Sequence, residues 1–134
     1  MDDKKLMEEA LKARKELSYS PYSKFAVGAA ILTKTGEIFR GANIENAAYG
    51  LCMCAERNAV FNAYMHGFKK DDLLALAIVA DTDEPVSPCG SCRQVLSELF
   101  PTDGKIILFN LKGDKKITNI VELLPFSFDQ EDVL

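Results

Sequence analysis

Leu6, Ala10, Ala13 and Leu17 recur at helical spacing, so the chain opens with an amphipathic helix over about residues 3–18. The polar run Ser18-Tyr19-Ser20-Pro21-Tyr22-Ser23 ends it. Residues 25–32 are apolar and extended in character, which predicts a strand, and Gly28 inside it marks a bulge or a close backbone approach. Thr35-Gly36 turns the chain into a second strand over 37–40, and the two strands read as a hairpin. A loop over 41–53 leads to a helix over about 54–66.

The uninterrupted apolar run 74–80 has the pattern of a strand buried on both faces. A loop over 85–88 precedes a helix over 89–100 whose apolar face is Val95, Leu96, Leu99 and Phe100. Strands follow over 105–110 and 115–118, joined by the turn Lys112-Gly113-Asp114, and 120–124 forms one helical turn before an acidic tail. This order of elements predicts a single α/β domain over residues 1–134, layered around a mixed sheet of about five strands.

Composition narrows the class of function. The chain has 134 residues, 48% hydrophobic and 27% charged, enough for a substantial core without staples. A net charge of −4 offers no basic stripe for a phosphate backbone, so no nucleic-acid partner is expected and a small neutral substrate fits better. No apolar run is long enough to span a membrane, and the charged N-terminal segment lacks the apolar region of a signal peptide. A cytoplasmic, reducing setting is therefore expected, where closely spaced cysteines serve metal or redox chemistry more often than cross-links.

The cysteines supply the sharpest signal. Cys89 and Cys92 are separated by two residues, a gap that lets two thiolates close on one metal ion, and Cys54 offers a third from a distant segment. Three protein ligands leave the fourth tetrahedral position open, which distinguishes a catalytic zinc from a structural one. Both cysteine sites fall at predicted helix starts, where free N–H groups and the macrodipole favour thiolates. Glu56, two residues after Cys54, suits a proton carrier beside metal-activated water. On an ideal helix it would lie about 200° around from Cys54, so it requires Cys54 to sit at an irregular helix start. Three thiolates on Zn²⁺ leave a net charge of −1, and Arg57 is placed to hydrogen-bond a ligand sulfur.

Plainer readings stand beside these. Cys89 and Cys92 resemble a redox pair at a helix start. Cys52 could close a purely structural zinc site as fourth ligand, or be a small buried hydrophobe. Glu56 and Arg57 could be ordinary residues of a first helical turn. His66 suits a helix C-terminus better than a metal.

Taken together, the motifs resemble the small, homotetrameric cytidine deaminases. The resemblance is carried by Pro21-Tyr22-Ser23-Lys24-Phe25 with Val27-Gly28-Ala29-Ala30, the run from Gly41 to Tyr49, Cys54-Ala55-Glu56-Arg57, Pro88-Cys89-Gly90-Ser91-Cys92-Arg93-Gln94, and Glu122-Leu123-Leu124-Pro125. It implies a three-layer sandwich and one Zn²⁺ per chain on Cys54, Cys89 and Cys92. It further implies that activated water attacks C4 of a cytosine nucleoside while Glu56 passes a proton to N3 and later helps ammonia leave. Backbone groups near Ala55 would hold the pyrimidine and Phe25 would pack against it. Asn43 and Glu45 would bind the sugar hydroxyls; two residues apart in an extended segment they point the same way, and together they can donate and accept. The implied activity is deamination of cytidine and 2′-deoxycytidine in pyrimidine salvage. A blasticidin-type antibiotic deaminase of similar fold, or a non-catalytic zinc-binding interaction module, are the alternatives. The implied assembly is a homotetramer with shared active sites. Each site borrows an aromatic after Leu124-Pro125, for which Phe128 matches the usual spacing better than Phe126.

Overall fold

The protein is described here by a computed structural model covering residues 3–128; the acidic tail after Phe128 lies outside the described residues. Helix α1 spans Asp3–Leu17, and strands β1 (Val27–Thr33) and β2 (Ile38–Ala42) form the expected hairpin. Helix α2 spans Ala55–Met65, β3 Leu73–Ala80, α3 Gly90–Leu99, β4 Lys105–Asn110, β5 Lys115–Thr118, and the short α4 Ile120–Leu123. The sheet order is β2-β1-β3-β4-β5. Among the described strands, β3 and β4 run parallel and the other pairs are antiparallel, so the sheet is mixed.

Strand alternation sorts the core into two layers. Ala30, Leu32, Ala75, Ala77, Val79, Ile107 and Phe109 pack on one side with Leu6 and Ala10 of α1. Their sequence neighbours Ala29, Ile31, Leu76, Ile78, Ile106 and Leu108 pack on the other with Ala59 and Val60 of α2 and Leu96 of α3. With period-two side chains this is what helices on both faces require, and it gives a three-layer sandwich.

Gly28 resolves as a close approach rather than a bulge. A Cβ there would lie 2.2 Å from the Ala10 carbonyl oxygen and 2.5 Å from the Arg14 amide nitrogen, so the missing side chain lets α1 lie on β1. The register irregularity falls instead between Leu32 and Thr33. Gly41, expected in a loop, belongs to β2, where a Cβ would meet the Ala59 nitrogen at 2.3 Å. It lets the backbone of α2 sit against the sheet.

Other element boundaries differ from the sequence expectation as well. β1 begins at Val27, not Phe25, because the Phe25 backbone is already committed: its N–H donates to Ser23 Oγ at 3.0 Å and its carbonyl accepts from Asn43 Nδ2 at 2.8 Å. Cys54 and Cys89 precede their helices as N-caps.

Candidate active site

The starts of α2 and α3 meet below the end of the β1–β2 hairpin. Cys54 caps α2 in extended conformation, φ −81° and ψ 159°. Cys89 caps α3 in the same way, and its sulfur accepts the Cys92 amide N–H at 3.4 Å. Pro88 precedes it without an N–H to satisfy. Cys92, one turn in, is fully buried. The extended Cys54 removes the difficulty posed by an ideal helix: leaving the helical path brings its sulfur and the Glu56 carboxylate to one point. Cys54, Glu56 and Cys92 each place a donor atom within 4.8 Å of the others.

The sulfurs form one cluster. Cys89 Sγ stands 3.1 Å from Cys92 Sγ. Cys54 and Cys92 are paired as a disulfide, with Cα atoms 7.1 Å apart, where the sequence led us to expect separate thiols. Cys89 is not part of the bridge. Disulfide Cα separations usually fall within about 4.4–6.8 Å, and this backbone spacing is wider. In reduced form the cluster offers three thiolates to one point, a donor set suited to a borderline-soft divalent cation. Arg57 Nε donates to Cys54 Sγ at 3.0 Å, the contact expected of a group that balances thiolate charge. Cys52 turns elsewhere: its sulfur accepts the Asn46 amide at 3.3 Å, so the structure gives no support to a closed four-cysteine site.

Glu56 is 4% exposed. Burial pushes its carboxyl above the usual carboxylate range, while its own backbone N–H and the Arg57 charge pull the other way. Ala55, the first residue of α2, is fully buried beside it.

Above the cluster opens a cavity of about 820 Å³ whose wall includes Asn43, Glu45, Cys54, Arg57 and Cys89. Asn43 and Glu45 both face it, as expected of residues two apart in an extended segment. Each is also engaged. Asn43 Oδ1 accepts from the Val27 amide at 2.9 Å while its Nδ2 donates to the Phe25 carbonyl. Glu45 Oε1 accepts the Tyr22 and Ser23 amides, each at 3.1 Å, and its Oε2 accepts from Ser23 Oγ.

Other expected contacts are not brought together within one chain. Phe25 is not among the described residues lining the cavity, where Val27 supplies apolar wall, and Phe25 is 41% exposed. Phe126 and Phe128 are both exposed and line no part of it. Phe128 is attached by its backbone, whose carbonyl accepts from Gln94 Nε2 at 3.1 Å. Neither ring is buried against its own core. His66 ends α2 away from the cluster, with Nδ1 2.8 Å from the Asn62 carbonyl. Sequence reasoning assigned no role to Ser23 or Tyr49, which line the cavity. Ser23 lies in the Pro21-Tyr22-Ser23-Lys24-Phe25 run, but its partner is 22 residues away, beyond any local pattern.

Residues 1–108 match the family described as the cytidine and deoxycytidylate deaminase zinc-binding region. The chain is 55% identical over 133 residues to a cytidine deaminase of Halalkalibacterium halodurans, covering 99% of this chain and 98% of the relative. It is similar in structure to a cytidine deaminase from Burkholderia pseudomallei, with a TM-score of 0.93 and 45% identity over 96% of this chain and all of that one. A blasticidin-S deaminase of Bacillus cereus is less similar, 36% identical over 112 residues covering 79% of each chain.

Proposed function

The chain belongs to the cytidine and deoxycytidylate deaminase family, and from that membership we propose that it hydrolyses cytidine, and 2′-deoxycytidine, to the uracil nucleoside and ammonia in pyrimidine salvage. One observation carries the reading: Cys54 and Cys92 converge with the buried Glu56 carboxylate, Cys89 Sγ stands 3.1 Å from Cys92 Sγ, and Cys54 and Cys89 line an open cavity. The donor set fits zinc, one ion per chain on Cys54, Cys89 and Cys92. When bound, the ion supplies Lewis acidity that makes water a competent nucleophile near neutral pH.

The chain's own residues do the rest. In the net reaction the oxygen of water bonds to C4 of the cytosine ring, and the C4–N bond to the amino group breaks. Glu56 takes a proton from the water and gives it to N3, then carries the second proton of that oxygen to the departing nitrogen as the C4 carbonyl forms. A buried carboxyl held above the usual carboxylate range is suited to taking up and passing on a proton. Arg57 steadies the Cys54 thiolate through its 3.0 Å contact. Backbone groups at Ala55 orient the pyrimidine, with Phe25 against its ring.

Asn43 and Glu45 bind the sugar hydroxyls, using the donor and acceptor capacity left after their contacts to the 22–27 segment. That pair suits an ordinary ribose and disfavours the antibiotic-deaminase reading. A non-catalytic zinc module would need a closed site, and Cys52 is engaged with Asn46 instead. The exposed Phe126 and Phe128 rings support a homotetramer in which Phe128 reaches the cavity of a neighbouring subunit. The enzyme forms one domain and works in the cytoplasm. Purified protein incubated with cytidine should release uridine and ammonia in equal amounts, and a chelator should abolish both; no release from zinc-replete protein would refute the assignment.

A further inference from the structure

We propose that Ser23 is a positioning residue for sugar recognition, holding the Glu45 carboxylate at the angle from which it receives a hydroxyl of the nucleoside. The inference rests on the reading of the cavity as a nucleoside site and assigns a part to a residue outside the metal cluster. Four observations support it.

First, the Ser23 hydroxyl is fully committed. It accepts the Phe25 amide at 3.0 Å, so its own proton is directed to Glu45 Oε2. Second, the other carboxylate oxygen accepts the amides of Tyr22 and Ser23, each at 3.1 Å. Glu45 is thus held at both oxygens by one tight turn. Third, that turn has a backbone made for this purpose. Lys24 adopts φ 61°, a left-handed conformation uncommon for a residue other than glycine, and its amide closes on the Ser20 carbonyl at 3.0 Å. Fourth, the segment carrying Glu45 is tied to the same stretch of chain. The Glu45 amide donates to the Tyr19 carbonyl and the Tyr19 amide to the Asn43 carbonyl, each at 2.9 Å. The hydroxyl of Ser23 also keeps the carboxyl below its usual range, so it stays an acceptor.

The consequence is a pre-paid orientation. A free carboxylate at a cavity rim would sample several rotamers and lose that freedom on binding, whereas a clamped one does not. Ser23 therefore acts through Glu45 on substrates that present a hydroxyl to it, and on no others. That distinguishes a positioning role from general support of the loop, which would affect every substrate alike.

The test uses the zinc-loaded enzyme with cytidine and with 2′,3′-dideoxycytidine, which keeps the base and lacks both ring hydroxyls. Ser23→Ala should raise KM for cytidine about tenfold, the scale of one hydrogen bond to a charged group, with kcat changed less than about twofold. On the dideoxy substrate kcat/KM should stay within about twofold of the parent. Ser23→Thr, which keeps the hydroxyl, should restore the cytidine KM. In a Glu45→Ala background, Ser23→Ala should add no further loss. Equal losses on both substrates, no loss on cytidine, or an additive loss in the Glu45→Ala background would overturn the role of Ser23 and leave the deaminase reading intact. A parent enzyme inactive on cytidine would overturn both.

Discussion

Cys54 and Cys89 show how much chemistry one backbone choice decides. Each sits where a helix begins, so the same unpaired N–H groups that need an acceptor also stabilise a thiolate. Ala replacement of Cys54, Cys89 or Cys92 should lower bound zinc well below one per chain by elemental analysis. Cys52→Ala should leave it unchanged, because that sulfur is turned to Asn46; zinc loss from Cys52→Ala would instead favour a closed structural site. The sugar-binding pair makes a separate claim. A site built to hydrogen-bond hydroxyls rejects analogues that lack them by about 10⁴-fold or more, so free cytosine should be a very poor substrate. Equal rates on cytosine and cytidine would remove Asn43 and Glu45 from that role.

At the scale of elements, the packing of helices on the sheet depends on side chains that are missing. Gly28→Ala puts a methyl group 2.2 Å from the Ala10 carbonyl, and such overpacking should cost about 1–3 kcal/mol in denaturant unfolding. Gly50→Ala meets nothing within 4 Å and serves as the control; equal stability of the two variants would refute the close-approach reading. Most elements were legible because their signals are local: helical spacing at Leu6, Ala10 and Ala13, and the apolar run that became β3. The start of β1 was not. Its limit is set by Asn43 and Ser23 capturing the Phe25 backbone across 18 and two residues, and the longer of these partnerships leaves no trace in periodicity. Gly41 misled for a related reason: a glycine reads as a loop until the helix that needs its empty position is seen. That Cys54, Cys89 and Cys92 come together was suggested by their spacing, whereas the contacts of Glu45 with Tyr22 and Ser23 were not.

For the whole molecule, several large apolar side chains stand exposed. Tyr49 is 90% exposed, Leu51 70%, and Phe126 and Phe128 also project outward, as the proposed homotetramer would require. With shared sites, mixing inactive Glu56→Gln chains with inactive Phe128→Ala chains should restore part of the activity, since some cavities would regain both groups. No recovery in verified mixed tetramers, or a monomer by light scattering, would defeat the shared-site assembly. The most direct test of the mechanism compares cytidine turnover by the parent and by Glu56→Gln, each shown to hold one zinc per chain. The amide keeps the shape of the carboxyl but cannot take the proton, so turnover should fall at least ~10²–10⁴-fold with metal retained. Near-parental turnover by zinc-loaded Glu56→Gln would contradict it.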